Sequence, residues 1–383
     1  MELEASNLHQ KRRKHTTHTP LPSSSVQDSN FESGVLPGGL ITEILLRLQV
    51  KHLLKFKCVS KFWLGLICSP EFVKIHLRRS ANDKTCHRLM LTFDSPEKNL
   101  KDCFVNSLFY DYVTKTIDVD YLPKIFYESI KFVGSVNGLI CVAIEEKDVF
   151  LWNPSIRKLK KLPSSGTDSF YMYGFGYDEL HDDHKVMVIT KIVDDDNSGY
   201  NVGKIYSLNS NSWKRLDDKR SAIQIYKSGM LVNGKLHWAI TNKLSINYYD
   251  WVILVVDLVD GRWKEIENPR YGEGTFYSIP YLGVLENELS MICQYTMNQV
   301  DVWVMNEYEV KESWTKMFNI SVGVYYLFAP SFCMSSEGEF LCKNTSFFMI
   351  YNPHDDSKRF PRKSNYDHLE EAQLYIDSLV WPF

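Results

Sequence analysis

The 383-residue chain has no C-x-x-C pair and no histidine at zinc-finger spacing. Its eight cysteines, Cys58, Cys68, Cys86, Cys103, Cys141, Cys293, Cys333 and Cys342, are scattered, which argues against a zinc module or redox motif and predicts buried, reduced thiols. A charged-then-apolar leader is lacking at the start of the sequence, and the longest strongly apolar run, Trp251 to Val256, is far too short to span a bilayer. A soluble, intracellular protein with no membrane partner is therefore expected, cytoplasmic or nuclear or both, in which Asn319-Ile320-Ser321 and Asn344-Thr345-Ser346 stay unglycosylated. An excess of one charge sign is missing too: 44 Lys+Arg stand against 47 Asp+Glu, net −3, so no basic field covers the molecule and no nucleic-acid partner is expected. No G-x-S-x-G, H-E-x-x-H or G-x-x-x-x-G-K-[ST] occurs, and Gly174-Phe175-Gly176 lies between strand patterns with no helix after it, so phosphate cradling is unsupported.

What is present is apolar and aromatic. With 44% hydrophobic and 14% aromatic residues the chain can bury a large core, and its length suits roughly two or three domains. Residues 1–33 are polar and read as a disordered tail, in which Lys11-Arg12-Arg13-Lys14 is either a nuclear-import signal or a solvated charge run. Residues 34–80 read as a small helical domain. Leu40, Ile41, Ile44, Leu45 and Leu48 make one helical stripe, with Pro37 suited to the first turn. Leu53, Leu54, Phe56, Cys58 and Val59 form a second segment, and Phe62, Trp63, Leu64, Leu66 and Ile67 a third. Ser69-Pro70 then interrupts before another helical turn around Phe72 to Leu77. These helices are apolar on more than one face, and so small a segment buries only part of that surface. The surplus requires either the rest of the chain or a second protein.

Residues 81–383 read as all-β, with no sustained helical stripe except around Tyr366 to Gln373. A turn followed by a strand recurs at Asn137-Gly138, Asn233-Gly234, Glu286-Asn287 and Glu337-Gly338, more weakly at Asp183-His184, about 46 to 53 residues apart. Trp213, Trp263 and Trp314 keep the same spacing, 50 and 51 residues, and Asn153-Pro154 and Asn352-Pro353 mark one turn in two flanking units. A period near 50 with several short strands per unit indicates a kelch-like propeller of about six blades, its last strand, Leu374 to Val380, returning to complete the first blade. A β-sandwich with irregular hairpins is the alternative, and the recurring tryptophan argues against it.

The two halves together resemble a known family. Leu36-Pro37, Leu40-Ile41, Ile44-Leu45, Arg47-Leu48, Leu53-Leu54, Val59-Ser60-Lys61, Trp63 and Leu66-Ile67 look like the F-box motif. SVNGLICV, LWNPSIRKLKKLP, YGFGYDELHDDHKVMVI and YSLNSNSWKRL look like the F-box-associated domain of the plant F-box/kelch group. The resemblance covers residues 34–383 and implies docking on a Skp-type adaptor, which joins the chain to cullin and RING subunits while the β domain holds an unknown protein substrate for ubiquitin transfer. It further implies that Leu36, Pro37, Ile41, Ile44, Leu45, Leu48, Leu53 and Leu54 carry adaptor contact, with Val59, Trp63 and Ile67 mixing contact and packing. Such a subunit needs no catalytic residue, metal or cofactor of its own. The family usually has acidic or other good first-turn residues where Gly38 and Gly39 stand, and proline where Gln49 stands. These departures predict a frayed start, a first helix running on past Gln49, and weakened but not abolished adaptor binding.

Two acidic clusters invite a metal reading. His181, Asp182, Asp183 and His184 fall in a turn, where adjacent residues point apart, and a solvated hairpin is the expectation. Asp194 to Gly199 resembles a calcium loop, but Ile205 stands where a bidentate glutamate is needed. Tyr171, Tyr173, Tyr177 and Tyr325-Tyr326 could anchor a partner, yet strand positions bury such residues equally well. Three functions therefore stand: a ubiquitin-ligase substrate receptor, a kelch-type enzyme with a helical accessory segment, and a scaffold that binds without degrading.

Overall fold

The computed structural model describes residues 36–93, 99–123, 130–166, 172–193, 199–221, 223–225, 228–242, 251–269, 280–296, 298–321, 333–343, 347–361 and 369–383. The polar tail with Lys11 to Lys14, the Asp194 to Ser198 stretch, Tyr171, Tyr325-Tyr326 and the Asn344 sequon lie outside these residues. The chain divides into two compact units, Met1–Ile41 and Thr42–Phe383.

The helices are α1 (Gly38–Leu45), α2 (Val50–Phe56), α3 (Lys61–Cys68) and α4 (Pro70–Asn82). Ser60 and Ser69 cap α3 and α4, their hydroxyls accepting the Trp63 and Phe72 amides at 3.1 and 3.2 Å. Pro70 at the first position turns the expected single turn into a 13-residue helix. The first helix does not run past Gln49. It stops at Leu45, Arg47 and Leu48 close tight turns onto the Ile44 and Leu45 carbonyls, and Gln49 is extended (φ −64°, ψ 149°) as the residue before α2.

The rest is a ring of six antiparallel sheets. Its strands are β1 (His87–Phe93), β2 (Asn99–Phe104) and β3 (Ile117–Asp118) in blade 1; β4 (Ile130–Val136), β5 (Leu139–Ile144), β6 (Asp148–Asn153) and β7 (Lys158–Lys161) in blade 2; and β8 (Met172–Asp178), β9 (Asp183–Val193), β10 (Gly199–Ser207) and β11 (Ser212–Ser221) in blade 3. Blade 4 has β12 (Ile223–Ile225), β13 (Met230–Val232), β14 (Lys235–Asn242), β15 (Trp251–Asp257) and β16 (Trp263–Ile266); blade 5 has β17 (Tyr281–Leu285), β18 (Glu288–Thr296), β19 (Gln299–Met305) and β20 (Trp314–Ser321). Blade 6 has β21 (Cys333–Met334), β22 (Phe340–Lys343), β23 (Phe348–Asn352) and β24 (Ser357–Arg359), and β25 (Leu369–Ile376) is the remaining strand. β25 pairs with β1, His87 opposite Ile376, so the C-terminal strand supplies the inner strand of the first blade.

The expected ring closure is thus present, over Leu369–Ile376 rather than Leu374 to Val380. The helical stripe expected near Tyr366 to Gln373 is this strand where it is described. Leu369, Ala372 and Tyr375 are its buried residues: a register shift between Thr92 and Phe93 sets Leu369 and Ala372 three apart in the blade 1–blade 6 cluster, while Tyr375 lies in the blade 1–blade 2 cluster. A helix that the sequence reading missed, α5 (Val105–Tyr110), joins β2 to β3.

Burial explains why six blades hold together. Among the described residues six apolar clusters fill the six blade interfaces. Along β5, Leu139, Cys141 and Ala143 face blade 3, while Ile140, Val142 and Ile144 face blade 1. All six are buried, as a strand sandwiched between neighbouring sheets must be. Inner strands of successive blades are neighbours, β25 with β4, β4 with β8, β8 with β13 and β13 with β17. Trp213, Trp263 and Trp314 stand at the start of the outer strand of their blade, second in β11 and first in β16 and β20, opposite Tyr206, Val256 and Met305. Their shared register is the structural cause of the 50-residue spacing.

Strands in a blade alternate in direction, so turns between its first and second and its third and fourth strands emerge at one end of the ring, and the other connections at the opposite end. The recurring turn motif occupies the first-to-second turn in blades 2, 4, 5 and 6, where Asn137, Gly138, Asn233, Gly234, Glu286, Asn287 and Gly338 have positive φ. Asp182, also at positive φ, holds the same place in blade 3.

Candidate functional site

From Thr42 onward the helical segment lies at the end of the ring where those turns emerge. Lys74 of α4 pairs with Asp182 in the first turn of blade 3. Gln49, Val50 and Lys51 wall a cavity of about 290 Å³ whose other side is built from blade 1 and the Pro154–Arg157 turn of blade 2. In that cavity Arg88 donates to Asp102 and, through Nε at 3.1 Å, to the Tyr375 hydroxyl, while Tyr375 donates to Asp102 at 3.0 Å. Ser155 donates to Asp377 at 2.9 Å. Burial pushes the Asp377 carboxyl above its ordinary value despite the nearby Arg88 charge.

Inside the segment, His76 bonds the Leu48 carbonyl at 2.8 Å and Arg79 pairs with Glu43 at 2.9 Å, tying α4 back to the first helix and its following turn. Phe56 and Trp63 meet edge to face at 5.4 Å, joining α2 to α3. Burial lowers His76 below its ordinary pKa, so its ring is neutral at pH 7.

The residues singled out for adaptor contact fall into two groups. Leu45 and Leu53 are 1% and 0% exposed and point into the protein. Leu36 and Pro37 are exposed and Ile41 is half-buried in the unit ending at Ile41; the Pro37 carbonyl accepts the Leu40 and Ile41 amides there. From Thr42 onward Ile44 and Val59 are exposed, and Leu48, Leu54 and Trp63 are half-buried. Exposed apolar side chains omitted from that set are Leu40, Phe62, Leu64 and Ile75. Their signal was available, because the first three sit in the same helical stripes.

The His181–His184 turn gathers no ligand set. His181 Nδ1 lies 2.7 Å from Asp178, Asp182 goes to Lys74 and Tyr177, Asp183 accepts the Asn209 amide at 3.0 Å, and His184 stacks on Phe175. Burial would raise the Asp178 carboxyl, but hydrogen bonds from Lys185 and His181 hold it below its ordinary value. Among the described residues no group of three or more His, Cys, Asp or Glu could hold a metal ion. All eight cysteines are free; Cys103, Cys141, Cys293 and Cys342 are buried as expected, whereas Cys58 and Cys68 are exposed on the helices.

Residues 35–75 match the F-box domain family and residues 101–380 the family described as F-box associated beta propeller domain. The chain is an F-box protein with an F-box-associated propeller. An F-box/kelch-repeat protein of Arabidopsis thaliana is 30% identical over 374 residues, covering 92% of this chain and 97% of that protein. The F-box protein CPR1 of Arabidopsis thaliana is 32% identical over 315 residues, 74% of this chain and 73% of its own length. Among solved structures, oligogalacturonate lyase from Vibrio parahaemolyticus superposes with a TM-score of 0.44 at 6% identity, covering 71% of this chain and 74% of that one. The family matches indicate no enzyme class.

In the F-box the Gly39 position is open to substitution. The first turn of α1 holds no acidic residue, and a Cβ added at Gly39 meets nothing within 4 Å. Gly38→Glu with Gly39→Glu is expected to stabilise α1 by about 1 to 2 kcal/mol through helix propensity and dipole interaction. Gln49→Pro is expected to add about 0.4 to 1 kcal/mol, because its φ of −64° already suits proline. Thermal melts and adaptor affinity check both; a fall in melting temperature contradicts them.

Proposed function

We propose that this F-box protein is the substrate-receptor subunit of a Skp–cullin–F-box ubiquitin ligase. The F-box docks on a Skp-type adaptor, which brings cullin and RING subunits, and the propeller holds a protein target. The observation that carries the reading is the joining of exposed F-box apolar side chains to one end of the ring.

The receptor contributes geometry and effective concentration, while bond making belongs to the conjugating enzyme. The Lys74–Asp182 pair and the cavity that Gln49, Val50 and Lys51 share with blade 1 support a fixed spacing between adaptor and target. A cytoplasmic or nuclear location goes with this role.

Co-expression with a Skp-type adaptor is expected to yield a stable complex that also recruits cullin. A folded chain that binds no adaptor overturns the proposal. A chain that binds adaptor and target yet leaves target levels unchanged is a non-degrading scaffold instead.

A further inference from the structure

Between Ile44 and Pro70 the sequence has no aspartate or glutamate, yet it carries Arg47, Lys51, Lys55, Lys57 and Lys61, a charge of +5 in a chain whose net is −3. Four of these side chains are exposed and Lys57 is half-buried. Among the described residues none of the five makes an ion pair or a side-chain hydrogen bond. On α4, Lys74 pairs with Asp182 and Arg79 with Glu43, whereas Arg78 is exposed and makes no ion pair among the described residues. Lys51 and Lys55 stand four apart on α2, a like-charge spacing that destabilises a free helix. Interspersed with these charges are the exposed apolar residues Ile44, Val59, Phe62 and Leu64, the second and third 58% exposed.

We propose that the adaptor seated on these helices presents carboxylates around its apolar contact, and that its association is steered by charge. The inference rests on the F-box docking reading and adds the partner's chemistry. Unpaired, exposed lysines act over a Debye length and accelerate encounter, whereas the apolar residues between them hold the complex once formed. RNA or an anionic bilayer would also meet the charge. Protein is favoured because large apolar side chains stand among the lysines, as a desolvated protein interface requires.

The test measures association and dissociation rates of the full-length chain with a purified Skp-type adaptor between about 50 and about 300 mM salt, a range over which surface charges become screened. For the wild type the on-rate is expected to fall about tenfold across that range. Combined Lys51→Gln, Lys55→Gln, Lys57→Gln and Lys61→Gln is expected to lower the low-salt on-rate about tenfold and flatten its salt slope, with the off-rate within about threefold. Phe62→Ser is expected to do the reverse, raising the off-rate and leaving the salt slope intact. Circular dichroism confirms that each variant is folded.

Equal on-rates and equal salt slopes for wild type and lysine variant overturn the inference while leaving F-box docking in place. A wild type that binds no adaptor overturns the docking reading beneath it. Lysine-dependent binding of a single-stranded RNA or of phosphatidylserine vesicles in place of the adaptor overturns the assignment of the partner as an acidic protein.

Discussion

Replacing Gly138 by alanine is expected to cost about 3 kcal/mol or more and to open the ring at its closure, because positive-φ strain and overpacking add there. Gly138 has φ of +75°, and a Cβ at this position would lie 2.2 Å from the Ser378 hydroxyl, 2.3 Å from Ser378 Cβ and 2.7 Å from the Ile376 carbonyl oxygen. Two of those contacts belong to main chain or to an atom fixed to it, so rotamer change cannot relieve them. Ser378 in turn is fixed by Asn153, whose side-chain amide donates to the Ser378 hydroxyl at 3.0 Å, the Ser378 carbonyl at 3.2 Å and the Val380 carbonyl at 2.7 Å. The turn, the blade 2 outer loop and the segment after β25 therefore close on one another at this point.

An internal control separates strain from collision. Gly234 occupies the same turn position in blade 4 with φ of +71°, but a Cβ there meets nothing within 4 Å. Gly234→Ala is therefore expected to cost only the left-handed backbone penalty, about 1 kcal/mol. Ser378→Gly in the Gly138→Ala background is expected to recover part of the loss, since it removes two of the three collisions but also the Asn153 hydrogen bond. Urea unfolding of the four proteins checks this; equal losses at Gly138 and Gly234 would show that closure does not depend on the contact.

Blades 2 to 6 were legible because each repeats its chemistry in the same place. Asn137-Gly138 and Asn233-Gly234 supply the two positive-φ residues of a tight hairpin turn, and Trp213, Trp263 and Trp314 fill one register position. Asn153 and Asn352 each accept the amide two residues on, Ser155 at 2.9 Å and His354 at 3.0 Å, which is why Asn-Pro recurs. Blade 1 hides because its inner strand comes from the far end of the chain, so the turn that announces the other blades is absent from its sequence. Its third and fourth strands are separated by α5, which has no side-chain cap and is only six residues long. Gln49 misled for a related reason: helix propensity favours continuation, but burial of Leu46 and Val50 and the His76 bond to the Leu48 carbonyl require the chain to turn.

At the F-box, the stripes revealed which segment is apolar but not which side chains face out. Leu45 and Leu53 share their stripes with Ile44 and Leu54 and differ only in the side that the rest of the protein covers. The local basicity was equally visible, yet it vanishes when charge is summed over all 383 residues. Propeller binding surfaces are harder still, because the same aromatic types fill blade interfaces: Tyr173 and Tyr206, with 2% and 0% exposure, are core residues here.

Acid is expected to unfold the propeller through two buried histidines. His184 is 9% exposed, stacked on Phe175 at 6.0 Å and against Tyr177 at 4.9 Å; burial, partly offset by Asp183 and Asp182, pushes it down to about 4 from 6.5. His237, fully buried, is also pushed down to about 4 by burial. Its hydrogen bonds fit a neutral ring, Nδ1 donating to the Met230 carbonyl at 3.2 Å and Nε2 accepting from the Tyr308 hydroxyl at 2.8 Å. Between pH 6.5 and 4 the unfolded chain binds protons that the folded chain refuses, so stability falls as pH falls. Above 6.5 the contribution is constant. At pH 5 the loss is roughly 2 kcal/mol for each histidine. Glu371 and Asp377, raised by burial, act in the opposite sense, since the folded state takes up their protons first. Urea midpoints measured from pH 7.5 to 5 are expected to fall steeply for the wild type and about half as steeply for His237→Gln. The slope is the quantity to compare, because that substitution also disturbs the Met230 and Tyr308 bonds at neutral pH. Parallel slopes would show that His237 takes up its proton without unfolding.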